Sequence, residues 1–419
     1  MKLNHLLFTS LTIFCLSSCQ TKKTKISPQT VVGKQGFDLA IVDLDQEKQM
    51  QTIVDQEEGQ YLGHPSTVLL DDGKTIFCAY PKGHGRGPIV LKKSTDGGQT
   101  WSKRLATPKN WATSKEVPTL YQTTDASGKK RLIIFSGSQD WVKGSIRMAV
   151  SEDMGETWSP LKSIGDFKGI VAMSDCIALK TPGHYIATSH IRGPKNSMIL
   201  FLLRSKDGGL TWSKPEEIFA GSNIHLCEAG LVYSPDKAEI AMLLRENSRN
   251  YNSQIMFSKD EGKTWTAPRP LPGSLCGDRH QAIYLDDQRL LIQFRDVTPK
   301  KRPGNKISPT EGDWAGWVGT WDDLRNGYEG EYRIRFKDNT HGWDSTYPAI
   351  EKLADGTISN ITYGYWQGGK SPYILSVRFK IAELDAMAEK IRLEGQPPVH
   401  NIIYDKVHIF NPSQKANKK

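Results

Sequence analysis

Apolar residues along this chain come in short runs, broken every few positions by Gly, Asp, Pro or Ser. Ile76-Phe77-Cys78-Ala79-Tyr80 and Arg131-Leu132-Ile133-Ile134-Phe135 are typical. A helix repeats its apolar positions every three or four residues over ten or more, whereas strands are short and bounded by turn formers. The pattern therefore predicts an all-β protein. Helical spacing is met from Ile381 to Ile391, with Leu384 and Met387 on the same stripe. At the N-terminus, Lys2 precedes an apolar segment, Leu6 to Leu16, too short to span a bilayer as a helix.

Superimposed on this pattern is an octamer, Ser-x-Asp-x-Gly-x-Thr-Trp. Its four copies open at Ser94, Ser151, Ser205 and Ser258, successively 57, 54 and 53 residues apart, and close at Trp101, Trp158, Trp212 and Trp265. An even period of that size marks one supersecondary unit repeated, as in a propeller or solenoid. The residue types are those of a hairpin turn. Asp can bond backbone N–H groups further along, Gly supplies the positive φ, and Trp returns a large apolar face to the unit.

Stacking the segments before each octamer gives six units, starting at His64, Glu116, Asp175, Glu228, Arg279 and Tyr347. The fifth has a degenerate box near Trp321-Asp322-Asp323 and the sixth has none. Six four-stranded units closing on themselves make a six-bladed β-propeller whose inner strands line a central channel. The six starting residues are then expected at one height, pointing at one spot on the axis. Val or Leu would stand there in a structural core, so this polar ring reads as a site. A second layer is expected where the next strands end, at Arg245, Arg295 and Arg192, with the glycine-rich Lys82–Gly87 loop carrying His84 and Arg86. Fixed cations around one axis favour a carboxylate, which Arg can hold through two N–H groups.

Composition refines this picture modestly. The net charge of +9 is spread along the chain without a basic block, and no phosphate loop, dinucleotide fingerprint or nucleic-acid module is evident. Leu16-Ser17-Ser18-Cys19 resembles the lipobox of bacterial lipoproteins, which implies cleavage before Cys19, lipidation of its thiol and a place in the cell envelope, anchored to the bacterial outer membrane. Residues 1–18 would then be a signal peptide, 19–35 a polar tether, 36–412 the propeller and 413–419 a tail. Cys78, Cys176, Cys227 and Cys276 lack metal-ligand spacing and read as thiols within strands.

The octamers resemble the Asp-box of the sialidase (exo-α-neuraminidase) superfamily of six-bladed propellers, and the likeness spans roughly residues 36–412. Two further stretches carry it. Glu228-Ala229-Gly230-Leu231-Val232, followed by Met242-Leu243-Leu244-Arg245, resembles the blade that supplies the catalytic Glu and the second Arg of the carboxylate-binding triad. Tyr347 to Gly356 is similar to the segment that carries the Tyr nucleophile. The resemblance implies that Tyr347 attacks the anomeric carbon while Glu228 takes its proton. A neutral phenol avoids the repulsion that a sugar carboxylate would impose on an anionic nucleophile.

Departures are equally specific. His64, within Gly63-His64-Pro65-Ser66, stands where the first triad Arg is expected, and the Lys82–Gly87 loop holds no carboxylate where the family places its acid/base Asp. His84 is the nearest substitute, with Asp175 and Glu116 as rivals. Trp314 and Trp317 fall near the third Arg, leaving Arg295 or Arg279 to serve. The implied function is an exo-acting retaining glycosidase that removes a terminal acidic 2-keto-3-deoxy sugar, sialic acid first among them, without metal or cofactor. The alternatives are the same chemistry on deaminated sialic acid or Kdo, a non-catalytic propeller binding acidic glycans, and a propeller binding a non-glycan partner.

Overall fold

The computed structural model describes residues 29–32, 37, 39–138, 145–194, 197–221, 223–298, 310–395 and 407–410. The expected signal peptide, the lipidated Cys19 and the 413–419 tail lie outside them. Six antiparallel sheets follow one another as blades. Blade one has three strands, Ser66–Leu69, Ile76–Pro81 and Ile89–Ser94. Blades two, three and four have four each and open with Thr119–Thr124, Ile170–Ala178 and Leu226–Tyr233. Blade five opens with Gly277–Tyr284, and Ile41–Asp43 lies parallel to its outer strand Tyr332–Lys337. Blade six opens with Ala349–Lys352, and its outer strand, Gln51–Asp55, comes from the start of the chain. That strand ties the N-terminal segment to the last blade and closes the ring.

Apolar packing lies between neighbouring blades. Phe77 and Leu91 of blade one meet Leu132 and Ile134 of blade two, and Cys78 and Tyr80 pack on the other side with Tyr363 and Ile374 of blade six. The Asp-box turns serve these seams. In each, the Asp carboxylate takes the Thr N–H and hydroxyl four residues on, as Asp96 does with Thr100 at 3.0 and 2.6 Å, while the Ser hydroxyl accepts the Gly N–H, as Ser94 does from Gly98 at 2.8 Å. Gly155 has φ +99°, and a Cβ there would lie 2.4 Å from Phe77 of the preceding blade. Both Gly's freedom and its small size are used at this place.

Three expectations are corrected. The degenerate box at Trp321-Asp322-Asp323 is a helix, Trp321–Asn326, capped by Thr320 and Asp323. Within the expected tether, Gln29–Val32 pairs antiparallel with Val407–Phe410. The six inner strands are also not in the simple register that equal stacking implies. A left-handed residue precedes or interrupts the inner strand in five blades: His64, Val171, Glu228, Arg279 and Thr346. Regular pairing resumes two residues later at Ser66, Gly230 and Gln281, but only at Asp175 after Val171. Asp175 is therefore level with Gly230, not with Glu228. The helix read from Ile381 is present as Ile381–Leu393, and no described helix is long and apolar enough to cross a membrane. The four cysteines are free thiols, Cys78, Cys227 and Cys276 being buried.

Candidate active site

The β-bulges put side chains of the inner strands on the axis. A non-glycine residue with positive φ costs about 1–3 kcal/mol, and such strain concentrates at sites. Here it turns Glu228 and Arg279 out of the strand direction and towards the channel. Tyr347, just after left-handed Thr346, meets Glu228: its hydroxyl donates to Oε1. Arg245, from the end of the next strand of blade four, donates through Nη1 to both Glu228 oxygens at 3.0 Å each. Burial pushes the Glu228 carboxyl up, but Arg245, His190 and Arg279 together reverse the shift and the acid is held at about 2. Burial, and then the Glu228 charge, push the Tyr347 phenol well above its ordinary value. The pair therefore rests as phenol and carboxylate, joined by the phenol's hydrogen bond.

Behind them lies an ion cluster not read from the sequence. Asp278, fully buried, accepts from Arg295 Nε and Nη2 at 3.1 and 2.7 Å; it forms an ion pair with Arg249 Nη2 at 2.6 Å, and its Oδ1 is 3.5 Å from Arg245 Nε. Despite burial, the three guanidiniums hold the Asp278 carboxyl well below the usual range. Arg295 also donates to the carbonyls of Trp343 and Ser345 at 2.8 and 2.9 Å, and Arg249 lies 4.8 Å over the Trp343 ring. Three cations thus converge on a carboxylate of the protein itself. Asp278 is the residue before Arg279, and it lies outside the octamers.

A second cluster flanks the first-blade loop. Tyr61 donates to Asp344 Oδ1 at 2.7 Å and Tyr363 to the same oxygen at 3.1 Å, while His84 Nδ1 lies 2.8 Å from the Tyr61 hydroxyl and 3.3 Å from Asp344. His64 sits between the rings of Tyr347 and Tyr363, at 4.4 and 4.5 Å, and its Nδ1 accepts the Gly85 N–H at 3.1 Å. Burial depresses the His64 imidazole well below its ordinary range, so it is neutral and cannot replace a triad Arg as a fixed cation. Burial pushes the Asp344 carboxyl up, but hydrogen bonds from His84 and Tyr61 hold it at about 2.

A cavity of about 470 Å³ is lined by His84, Arg245, Arg295, Trp343, Asp344 and Tyr347, with His341 and Gly342 at its rim. Of the residues predicted from sequence, Tyr347, Arg245, Arg295 and His84 line it, and Glu228 and His64 stand behind that wall against Tyr347. Arg279 lies against the Tyr347 ring, 5.5 Å from guanidinium carbon to centroid, and donates to Ser174 O. Glu116 accepts the Val171 N–H at 3.0 Å, and burial pushes its carboxyl up to about 7, with Arg86 pulling it down. Arg86 is exposed on its loop.

Asp175 is not at this site. It lines a second cavity of about 250 Å³, which shares Tyr347 with the first and is lined also by Glu351, Gln281 and Arg279, and it accepts the Leu231 N–H of blade four at 2.7 Å. The displacement follows from the longer bulge of its strand. Trp314 and Trp317 are fully buried in the seams of blade five and do not face the cavity.

Comparison with known proteins agrees with this architecture. Residues 108–359 match the family model of the BNR repeat-like domain, and residues 92–103 match the BNR/Asp-box repeat. A sialidase of Clostridium perfringens is 28% identical over 260 residues, covering 57% of this chain, which spans about half of that relative (56%). Among solved structures, a Dyadobacter fermentans protein of unknown function superposes with TM-score 0.59 at 17% identity, over 78% of this chain and 97% of that one. A NanB sialidase from Streptococcus pneumoniae superposes with TM-score 0.56 at 13% identity, over 80% of this chain and 71% of that one.

Proposed function

This chain belongs to the BNR repeat-like domain family, within the sialidase superfamily of six-bladed propellers, and on that premise we propose that it is an exo-acting retaining glycosidase. The observation that carries the reading is the Tyr347 phenol donating to Glu228 at the wall of a cavity, with Arg245 on the same carboxylate. In the first step the Tyr347 oxygen bonds to the anomeric carbon, its proton passes to Glu228 Oε1, and the glycosidic bond breaks. In the second, water takes the place of Tyr347 at that carbon and Tyr347 recovers a proton. Two displacements retain configuration.

The substrate proposed is a terminal acidic 2-keto-3-deoxy sugar, most simply sialic acid. Arg245 and Arg295 line the cavity, and a second terminal nitrogen of Arg245 is not engaged with Glu228. Because Asp278 occupies much of Arg295 and Arg249, the sugar carboxylate is gripped by fewer donors than three open arginines would offer. That favours a deaminated sialic acid or Kdo as strongly as sialic acid. The same neutralisation also favours a second reading, a propeller that binds acidic glycans without cleaving them. In either reading the chain meets its glycan in the cell envelope, held to the membrane by a lipid on Cys19.

The test is a panel of 4-methylumbelliferyl glycosides of sialic acid, its deaminated analogue and Kdo, incubated with the full chain and with Tyr347→Phe. Release by the wild type that disappears in the variant supports the glycosidase and identifies its sugar. Release that persists in the variant overturns the nucleophile, and binding without release on any member selects the second reading.

A further inference from the structure

The first-blade loop, Lys82 to Gly87, contains no carboxylate, so the proton for the departing oxygen must come from another residue type. The hydrogen bonds around Asp344 identify which histidine nitrogen is available. Tyr61 has one hydroxyl proton and donates it to Asp344, so its oxygen can accept from His84. Nδ1 of His84 therefore carries a proton, shared between the Tyr61 oxygen at 2.8 Å and the Asp344 carboxylate at 3.3 Å. Nε2 is the nitrogen left, and His84 lines the same cavity as Tyr347.

His64 takes the opposite tautomer. Its Nδ1 accepts from Gly85, so in the neutral ring Nε2 bears the hydrogen and donates to Tyr363, which passes its own to Asp344. The two rings, 4.7 Å apart and edge to face, are thus oriented through one carboxylate. His64 is spent within this network, with both ring nitrogens engaged. His84 is half-open to solvent, with a side-chain exposure of 64%, and keeps one nitrogen for chemistry.

We propose that His84 is the general acid and base of this site, acting through Nε2, and that Asp344 and Tyr61 are its positioning residues. The assignment rests on the glycosidase reading above. In the first step His84 Nε2–H protonates the glycosidic oxygen as the bond to the anomeric carbon breaks, and the imidazolium becomes neutral imidazole. In the second, the neutral Nε2 takes a proton from the attacking water, whose oxygen displaces Tyr347, and the imidazolium is restored. The Asp344 carboxylate and the Tyr61 oxygen, both facing Nδ1, fix the tautomer and the orientation of the ring, as a carboxylate does for a catalytic histidine. Other groups set the field at this ring. Tyr61 and Asp344 face Nδ1, neutral His64 faces the ring, Lys82 and Arg86 flank it on its own loop, and Arg245, Arg295 and His341 share the cavity.

General acid catalysis matters most for a poor leaving group, which a structural role for His84 would not distinguish. The experiment compares the full chain with His84→Ala, Asp344→Asn, Glu116→Gln and Tyr347→Phe. The substrates are the panel sugar in two forms, its methylumbelliferyl glycoside and its glycoside to lactose, with kcat/KM followed from pH 4 to 9. His84→Ala is expected to lose about 10²–10⁴-fold on the lactose glycoside, but at most about tenfold on the aryl glycoside. It should also lose the alkaline limb and recover in part with added imidazole. Asp344→Asn should lose more on the lactose glycoside than on the aryl glycoside, and Glu116→Gln should leave the alkaline limb in place.

If His84→Ala falls equally on both substrates, or if Glu116→Gln removes the limb, the assignment is overturned while a Tyr347-dependent glycosidase stands. If the wild type turns over neither form of any panel sugar, or if Tyr347→Phe matches it, the underlying reading falls and this inference with it.

Discussion

Tyr347 and Glu228 stand 119 positions apart in the chain, and the phenol of one donates to the carboxylate of the other. Arg245 holds that carboxylate from the far side, so the contact survives burial of all three groups. The arrangement separates chemistry from stability. Tyr347→Phe removes the oxygen proposed to attack but leaves Glu228 paired, and kcat/KM should fall by roughly 10³-fold or more with little change in melting temperature. Glu228→Ala leaves Arg245 short of its partner, and denaturant unfolding should show a loss of about 3–5 kcal/mol besides the loss of activity.

Arg245 also sets where Glu228 titrates. Burial alone would push that carboxyl up, and Arg245 is the first of the charges that keep it at about 2. A base must be deprotonated to act, so in the wild type Glu228 takes no part in any loss of activity above about pH 3. Arg245→Gln removes the charge, raises the Glu228 carboxyl and brings its protonation into the working range. The acid limb that Glu228 sets in kcat/KM for the aryl glycoside, below about pH 3 in the wild type, should move upward by a unit or more in the variant, measured from pH 2.5 to 7 (roughly the scale of one lost charge partner). An unmoved limb would remove Glu228 from the role of base.

Asp278 offers a sharper stability test than any surface ion pair. It is fully buried and serves Arg245, Arg249 and Arg295 together. Asp278→Asn leaves these guanidiniums short of their counter-charge, at a cost of about 3–5 kcal/mol in urea unfolding. Arg249→Met should cost about 1 kcal/mol, since Arg249 is partly exposed and its stem can still cover Trp343. Equal costs would show that Asp278 does not organise the cluster.

The periodic Asp-boxes made the propeller legible, because a turn motif recurring every fifty-odd residues constrains architecture more than any single strand does. Glu228, Arg245 and Tyr347 were legible too, since each lies in a segment whose neighbours repeat a family pattern. Equal stacking failed at Asp175, where a strand bulge two residues longer than those of blades four and five moved the side chain to another cavity. Tyr61, Tyr363, Asp344, Asp278 and Arg249 carried no local signal. Tyr61 and Asp344 lie 283 positions apart, and only closure of blade six onto blade one brings them together. The strand Gln51–Asp55 that makes this closure is short and half-exposed, so its sequence looks like that of a loop.

The cavity around Asp175 predicts a pH-dependent stability. Glu351 accepts the Thr67 hydroxyl at 2.6 Å, and burial pushes its carboxyl up to about 7. A raised carboxyl means that the folded state binds more protons than the unfolded state between about pH 4.5 and 7. Its contribution therefore weakens as pH rises through that window. His64, His190 and His280, all depressed by burial, act in the opposite direction, so the wild-type profile alone does not isolate the effect. Melting temperatures of wild type and Glu351→Gln, compared at pH 5 and pH 8, should show the variant gaining relative to wild type at the higher pH. A constant difference would mean that Glu351 stays ionised in the fold.

Two glycines separate the backbone demand of a turn from its packing demand. Gly128 and Gly155 both have positive φ, +88° and +99°. A Cβ on Gly128 meets nothing within 4 Å, whereas one on Gly155 falls 2.4 Å from Phe77, which is fully buried in the seam between blades one and two. Gly128→Ala should therefore cost about 1 kcal/mol, the price of a left-handed alanine alone. Gly155→Ala adds the displacement of a buried aromatic ring, and its total should reach about 2–4 kcal/mol, since overpacking typically adds 1–3. Phe77→Leu in the Gly155→Ala background makes room for the new methyl, and double-mutant analysis should then recover part of the second cost but none of the first. Recovery by Phe77→Leu in the Gly128→Ala background as well would show that the seam does not read the box glycine.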